Sequence, residues 1–483
     1  MRDSQHSSSA SSAHSVSQPW RQTDFAKKLN KFLQTTEEHI LKEANPGGHY
    51  VAIWPRDASY ILKDQFISGA NIQAILQQIL IIWSYQITEN TKEKIVYGRG
   101  SPEMGFRSVV ATNQDVRRFE GALPTTIYRK EGFSEVYAQN PDIDSTALMI
   151  STTSWILFTL LSTGLSLVPY ELAPAMTLSK VIDLIVSRML KAINYLKNRD
   201  IDNDGLLEQD HNEDWMDTIL RKGKIVYSQA CWIVSLKNLS SLLLELKSKN
   251  NDDNKKKGSE AKKIFKPAEK TIHAVEEKLW SKEDGSYIDV QQEEKHIGGP
   301  YRTLTQDVCL YLVAIMEQQE NHDGGISNTI FSKGKKGIKI SDNRQLSFHN
   351  RAISTLDTIK RRIWKDKWPL VTEVELKKTG PWFLKPYQYH NHTFWPWSTG
   401  IEMLARSKFD QYKECNILFS KIVSEDDHHP HAHTFYEWVN PITDKPEGAY
   451  PFGTGISAVR IAVFDILKRM EEEKKLEIKN NVI

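Results

Sequence analysis

The sequence predicts an all-α fold, an (α/α)6 toroid in which a ring of buried helices sits inside a ring of amphipathic ones. Three observations lead there. Apolar residues recur at three- and four-residue spacing in segment after segment, and no long strand-like alternation competes. The helical segments are of two kinds: the one after Asp144 is almost wholly apolar or hydroxylated, whereas the one from Leu178 carries a charged face. No repeat of fixed length occurs, which a solenoid would require.

In chain order, residues 1–20, "MRDSQHSSSASSAHSVSQPW", are Ser-rich and read as a disordered tail, because so few apolar groups cannot offset the entropy of ordering them. No apolar run follows Arg2, so a secretory signal is not expected. Residues 21–483 read as a single domain, a size that one helical toroid reaches. Helical periodicity runs through "FAKKLNKFLQTTEEHILKEA", "NIQAILQQILIIWSYQI", "LSKVIDLIVSRMLKAINYLKN", "YSQACWIVSLKNLSSLLLELK" and "AVRIAVFDILKRMEEEKKLE". The segment Ser145–Tyr170 contains no charge. Its recurring Ser and Thr and its Gly164 favour a helix buried by protein over a membrane span. The stretch "KSKNNDDNKKKGSEAKK" reads as an exposed loop between two helices.

Composition narrows the function. Lys plus Arg (63) nearly cancels Asp plus Glu (61), which leaves no electrostatic footprint for nucleic acid or an anionic membrane. The cysteines, Cys231, Cys309 and Cys415, lie far apart without CxxC pairing, so a reducing compartment, the cytoplasm, is expected and a thiolate zinc site is not. With 13 Trp and 17 Tyr the chain is rich in flat rings with a polar edge, which suit sugar faces as well as cores.

In a toroid the chemistry belongs at helix ends, and five clusters fall there. "YVAIWPRDASYIL" places Trp54 and Arg56 beside Asp57, with Pro55 stopping the preceding segment and Asp57 placed to cap the next helix. "NPDIDSTALMI" sets Asp142 and Asp144 before the uncharged helix, where Asp144 reads first as a cap. "HNEDWMDTILRKGK" gathers Glu213, Asp214 and Asp217 around Trp215, with Glu208 nearby. "KPYQYHNHTFWPWSTG" collects Tyr387, Tyr389, His390, Asn391, His392, Trp395 and Trp397, which read as a ligand-facing wall. The last holds His428, His429, His431 and His433 ahead of Glu437, which stands between Tyr436 and Trp438. The histidines invite a metal, but no carboxylate spacing completes a ligand set, so a surface loop is preferred and no metal is expected.

Glycosidic cleavage needs one acid to protonate the leaving oxygen and a second carboxylate to attack the sugar or activate water. Asp217 and Glu437 are the candidate pair, from inner helices that face each other across a closed ring. The blocks "WPRDASY", "DNDGLLEQDHNEDWMD" with "RKGKIVYSQACW", "HNHTFWPW" and "YEWVNP…EGAYPFGTG" resemble, in the same order, the motif blocks of helical-toroid glycosidases. The amylo-alpha-1,6-glucosidase domain of glycogen debranching enzymes and the glucoamylases are the nearest types, with neutral invertases further off. The blocks span Tyr50 to Ser457.

The resemblance implies a six-hairpin catalytic domain that takes an oligosaccharide or small glucoside and needs no cofactor. It puts the general acid on Asp217, in "WMD", and the general base on Glu437. Arg56 and Asp57 fall on the pair that holds hydroxyls of the nonreducing sugar, and His390, Asn391, Thr393, Trp395, Pro396 and Trp397 on the "HNGTVWPW"-type block. Asp144 matches the acid of the "VDAS" segment, and Trp54 and Trp215 complete the binding wall. A glucoamylase-style alignment instead places the acid on Glu208, through "DGLLE", and is supported by Tyr227 where debranching enzymes carry a glutamate. His392 replaces a glycine of the family pattern, a change expected to narrow the funnel. "FGTGISA" lacks the tryptophan of the "WSAA" block, and no N-terminal β-sandwich has room.

The expected activity is release of glucose from an α-glucoside with inversion. The alternatives are a small glucoside such as trehalose, sucrose or glucosylglycerate, and a sugar-binding toroid without activity. Burial against Trp215, with Asp214 and Glu213 close by, is expected to keep Asp217 protonated.

Overall fold

The computed structural model describes residues 21–39, 43–101, 105–164, 178–249, 254–291, 302–323, 342–365, 368–376, 383–423 and 435–480. The N-terminal tail and the histidine run at 428–433 lie outside these residues.

In chain order the helices are α1 (Gln22–Thr36), α2 (Pro55–Ile67), α3 (Ile72–Ser84), α4 (Asn113–Phe119), α5 (Ile143–Ser162), α6 (Leu178–Lys197), α7 (Val226–Lys249), α8 (Asn254–Lys278), α9 (Cys309–Asp323), α10 (Asp342–Arg362), α11 (Pro396–Ser407), α12 (Tyr412–Ile422) and α13 (Gly453–Asn480). Helices α2, α5, α7, α9, α11 and α13 pack each on the next, and α13 returns to α2, so they close a ring. Outside it α3 packs on α2, α6 on α5, α8 on α7, α12 on α11 and α1 on α13. Helix α10 completes the outer layer, its Leu356 carbonyl accepting a hydrogen bond from Arg406 of α11 (2.9 Å). This is an (α/α)6 toroid.

The two kinds of helix follow from burial. Helix α5 is long and apolar enough to cross a membrane by composition, yet nearly every residue from Ile143 to Leu161 is buried in the ring. Its hydroxyls have partners on neighbouring helices, which is why a buried helix carries them. Thr152 donates to the Ser59 carbonyl of α2 (3.1 Å), Thr153 accepts from Trp83 Nε1 of α3 (3.1 Å), and Ser151 Oγ accepts from Asn238 of α7 (2.8 Å). Closure at α13 is polar as well: buried Arg460 pairs with Asp64 of α2 (3.1 Å) and donates to Leu33 O and Thr36 Oγ1 of α1 (3.1 and 2.6 Å). Gly400 of α11 is needed for close approach, because a Cβ there would stand 2.9 Å from the Ala458 backbone of α13.

Four expectations change. Pro55 begins α2 as its first residue, a position that needs no N–H, and Asp57 lies inside the first turn rather than at the cap, which is Trp54. Asp144 does not cap α5: Asp142 holds that position, and Asp144 lies within the first turn. The charged stretch after Lys249 is mostly helix, since α8 already begins at Asn254. Strands are also present. Ile95–Ser101, Gly105–Val110, Thr126–Tyr128 and Phe133–Val136 form a four-stranded sheet in the connection between α3 and α5. They are short and interrupted by glycine, so they leave no period-two run to detect. A bridge from Ile53 to Ile127 ties this sheet to the start of α2, and Tyr137, directly after the last strand, reaches the cavity described below.

Candidate active site

A cavity of about 330 Å³ opens at one end of the inner ring, at the low end of the size range of small-molecule sites. Its walls include Trp54, Arg56, Asp57, Trp215, Asp217, His390, Trp395, Trp397 and Glu437, so most of the sequence-predicted residues meet there. Tyr50, Tyr137, Thr218, Tyr389, Phe452 and Thr454 join them.

Asp217 stands on a loop between α6 and α7 whose ends are clamped by paired backbone hydrogen bonds between Gln209 and Gly223 (3.0 Å each way). Inside the loop, Asp214 accepts from Met216 N (3.0 Å) and Gln209 Nε2 (2.9 Å), and the Asn212 side chain donates to the Asp217 carbonyl. Buried Arg221 anchors the base of the loop, pairing with Asp214 (3.0 Å), Asp289 (2.8 Å) and Asp307 (3.0 Å). Asp307 also accepts from Trp215 Nε1 (2.6 Å), which fixes the indole as a wall of the cavity.

The Asp217 side chain is 21% exposed and its carboxyl receives no hydrogen bond among the described residues; His390 Nδ1 lies 4.0 Å from it. Burial pushes its pKa up to about 7; Arg56 works against this, while Asp214, Asp144 and Asp57 add to it. Glu213, expected to help, instead turns to Arg199 (2.5 Å) and the Asn140 side chain. His390 is held neutral, its pKa driven well below the usual value by burial and by Arg56 and Arg221. Its Nδ1 meets Thr218 Oγ1 (2.8 Å) and its ring stacks on Trp395 at 4.8 Å.

Glu437 has the opposite surroundings. Its Oε1 accepts from Tyr50 (2.6 Å) and Tyr389 (2.8 Å), and its Oε2 from Ala449 N (2.9 Å). It precedes a two-stranded ribbon, Trp438–Val439 paired with Pro446–Glu447, and its own N–H bonds Ala449 O (3.1 Å). Gly448 lies against it at φ +82°: a Cβ there would stand 2.4 Å from Glu437 Oε2, so the ribbon admits only glycine. Burial raises the Glu437 pKa, and the tyrosine hydroxyls and the Ala449 N–H oppose that rise. A carboxylate has about four acceptor positions. Three are taken, which leaves one for a water.

Arg56 and Asp57 form the floor. Arg56 Nε donates to Asp57 Oδ2 (3.3 Å), and Asp57 Oδ1 accepts from Thr454 of α13 (2.6 Å). Trp54 is braced edge-on by Tyr50 at 4.8 Å, and Trp397 packs on Trp215 at 4.5 Å.

Three predicted residues lie elsewhere. Asn391 is fully buried away from the cavity, pairing its amide with the Leu376 N–H (2.7 Å) and carbonyl (2.9 Å). Asp144 sits behind Arg56, 3.6 Å from Nη1, and does not reach the cavity. Glu208, the competing acid, accepts from Ile201 N (2.8 Å) and faces Lys224 (3.4 Å), also outside the cavity. His392 does not narrow the funnel either. It lies at φ +64° with its ring against the Thr372 carbonyl (2.8 Å), so the position asks for a left-handed backbone rather than a small side chain.

The fold is that of solved glycosidases. The GH63 mannosylglycerate hydrolase of Thermus thermophilus in complex with glucose superposes with a TM-score of 0.52 at 14% identity, over 91% of this chain and 99% of that one. A rhamnosidase from Klebsiella oxytoca with rhamnose bound gives 0.52 at 10% identity, over 93% and 64%. A further glycosidase gives 0.52 at 10%, over 93% and 99%. In sequence, no family model and no curated protein matches the chain.

Proposed function

We propose that this protein is a glycoside hydrolase that releases glucose from α-glucosides by an inverting acid/base mechanism. One observation carries the reading: of the three carboxylates that line one cavity, Asp57 is bonded by Arg56 and Thr454, Glu437 receives three hydrogen bonds, and Asp217 receives none among the described residues. The bare acid, Asp217, holds its proton to about pH 7 and donates it to the glycosidic oxygen. Glu437 uses its remaining acceptor position to take a proton from water as the water attacks the anomeric carbon from the opposite face. The sugar leaves with its configuration inverted, and no cofactor enters the scheme. Arg56 and Asp57 together offer a donor and an acceptor to neighbouring sugar hydroxyls, and Trp54, Trp215, Trp395 and Trp397 supply apolar faces. A cavity of about 330 Å³ favours a short or small glucoside over the interior of a long polymer, and the presence of a mannosylglycerate hydrolase among the structural neighbours supports the same choice. The expected location is the cytoplasm.

The test is NMR of the purified protein with maltose, isomaltose, maltodextrins, glycogen, trehalose, sucrose and glucosylglycerate. Release of β-glucose from an α-linked substrate supports the scheme; release of α-glucose recasts Glu437 as a nucleophile. Hydrolysis of none of them, with binding retained, favours the noncatalytic toroid.

A further inference from the structure

Arg56 is the cation that acts most strongly on the proposed acid, and left to itself it would draw the proton off Asp217. The packing turns it elsewhere. Its Nε bonds Asp57 (3.3 Å), while its Nη1 makes no hydrogen bond among the described residues and lies near Asp144 (3.6 Å) and Asp142 (4.0 Å). Both acids are fully buried at the start of α5, outside the cavity. Asp144 is oriented by the Ser145 N–H (2.6 Å) and by the Tyr227 hydroxyl of α7 (3.2 Å). Asp142 is oriented by Thr125 (2.8 Å) and Ser145 Oγ (3.2 Å).

We propose that Asp144 is a positioning residue for the acid: it engages Arg56 from behind, so that the guanidinium does not stabilise the Asp217 anion and the proton stays on the donor. Asp144 never touches the substrate. Loss of its charge acts twice in one direction, because a like charge near Asp217 disappears and Arg56 is freed toward it. The charged and titratable groups around the pair are Arg56, Asp57 and Tyr60 from α2, Asp142 on its own element, Tyr227 and Cys231 from α7, and Asp214 from the acid's own loop. On the far side His390 is neutral, and Tyr50 and Tyr389 bond Glu437 and lie within electrostatic reach of Asp217.

The inference rests on Asp217 being the acid, so the test has one arm that needs no turnover. In the activity arm, Asp144→Asn moves the basic limb of the kcat/KM profile down by about one pH unit, a loss that grows to about tenfold at pH 8. Tyr227→Phe removes only the hydroxyl that stabilises the Asp144 anion, moves the limb the same way by less, and serves if the asparagine variant does not fold. In the second arm, the stability gain of Asp217→Asn is measured at pH 5 and pH 8 with and without Asp144→Asn. The rise of that gain with pH shrinks in the double variant. A uniform fall in kcat/KM with an unmoved limb, together with an unchanged pH dependence of the gain, overturns the proposal. A shrunken gain in a protein that hydrolyses nothing retains Asp144's role and rejects the hydrolase reading.

Discussion

Two acidic clusters lie within one stretch, "DIDNDGLLEQDHNEDWMD", and they behave in opposite ways. In the first, Asp200, Asp202 and Asp204 stand at the surface end of the loop and are met by lysines. Lys224 reaches Asp202 (2.6 Å) and Asp204 (2.5 Å), Lys278 reaches Asp204 (2.7 Å) and Lys270 reaches Asp200 (2.9 Å). Hydrogen bonds from Lys224 hold the Asp202 carboxyl below the usual range, and Asp204, bonded by Lys224 and Lys278 against some burial, lies far below it. In the second, burial outweighs Arg56 and Asp217 is pushed up to about 7. Composition alone does not separate the two. What matters is whether a flexible ammonium can reach the carboxylate, or whether the carboxylate is walled by tryptophan beside an arginine that other acids already occupy.

The largest expected contrast is in turnover. Asp217→Asn and Glu437→Gln each lower kcat by about 10²–10⁴-fold, whereas Glu208→Gln, outside the cavity, leaves it within about threefold. Steady-state kinetics on the best substrate of the panel measures all three, and a large loss in Glu208→Gln alone would move the acid to Glu208. Next, Gly448→Ala drives a methyl into Glu437. It costs about 1–3 kcal/mol in a denaturant titration and lowers kcat about 10²-fold by displacing the base.

The pH profile sharpens the comparison further. With its acid near 7 in the free protein, kcat/KM falls by about tenfold per pH unit above that point, and the acid limb is set by protonation of Glu437.

The smallest effects are on stability, and they have opposite signs. Asp217 has a folded pKa of about 7, above its unfolded value of about 3.9, so its contribution to stability falls as pH rises between the two. Asp217→Asn therefore raises stability above pH 7, by about 1–2 kcal/mol. The Asp204 pKa is depressed, so its contribution is present above the unfolded value and is lost as pH falls through the folded one. Asp204→Asn costs about 0.5–1 kcal/mol at neutral pH, less in high salt. Thermal melts at pH 5 and pH 8 separate the two behaviours.

Much of this was legible before any coordinates. Helical periodicity gave the toroid, and the tryptophan-flanked Asp217, Glu437 and the Arg56–Asp57 pair stood out because their neighbours formed ordered blocks. Tyr50, Thr218 and Thr454 did not stand out, because a lone hydroxyl has no spacing. Tyr50 meets Glu437 across 387 residues of chain, a contact that only ring closure creates. Asn391 and Asp144 erred the other way: they belong to site-like blocks, yet their side chains hold backbone and guanidinium rather than face the cavity. A motif marks the neighbourhood of a site and leaves open which members point inward. Glu213 illustrates the same limit, since Arg199, fourteen positions earlier, turns it away from the residue it was expected to assist.

Closure of the ring by α13 has a consequence for biosynthesis. The floor of the cavity joins Asp57 to Thr454, the lock on α2 joins Asp64 to Arg460, and Glu437 stands only sixteen positions before α13 begins. A ribosome that has made the first four hundred residues has therefore made Asp217 without Glu437, and Arg56 and Asp57 without Thr454. Such long-range contacts form late and slowly, and the cavity is complete only once α13 docks.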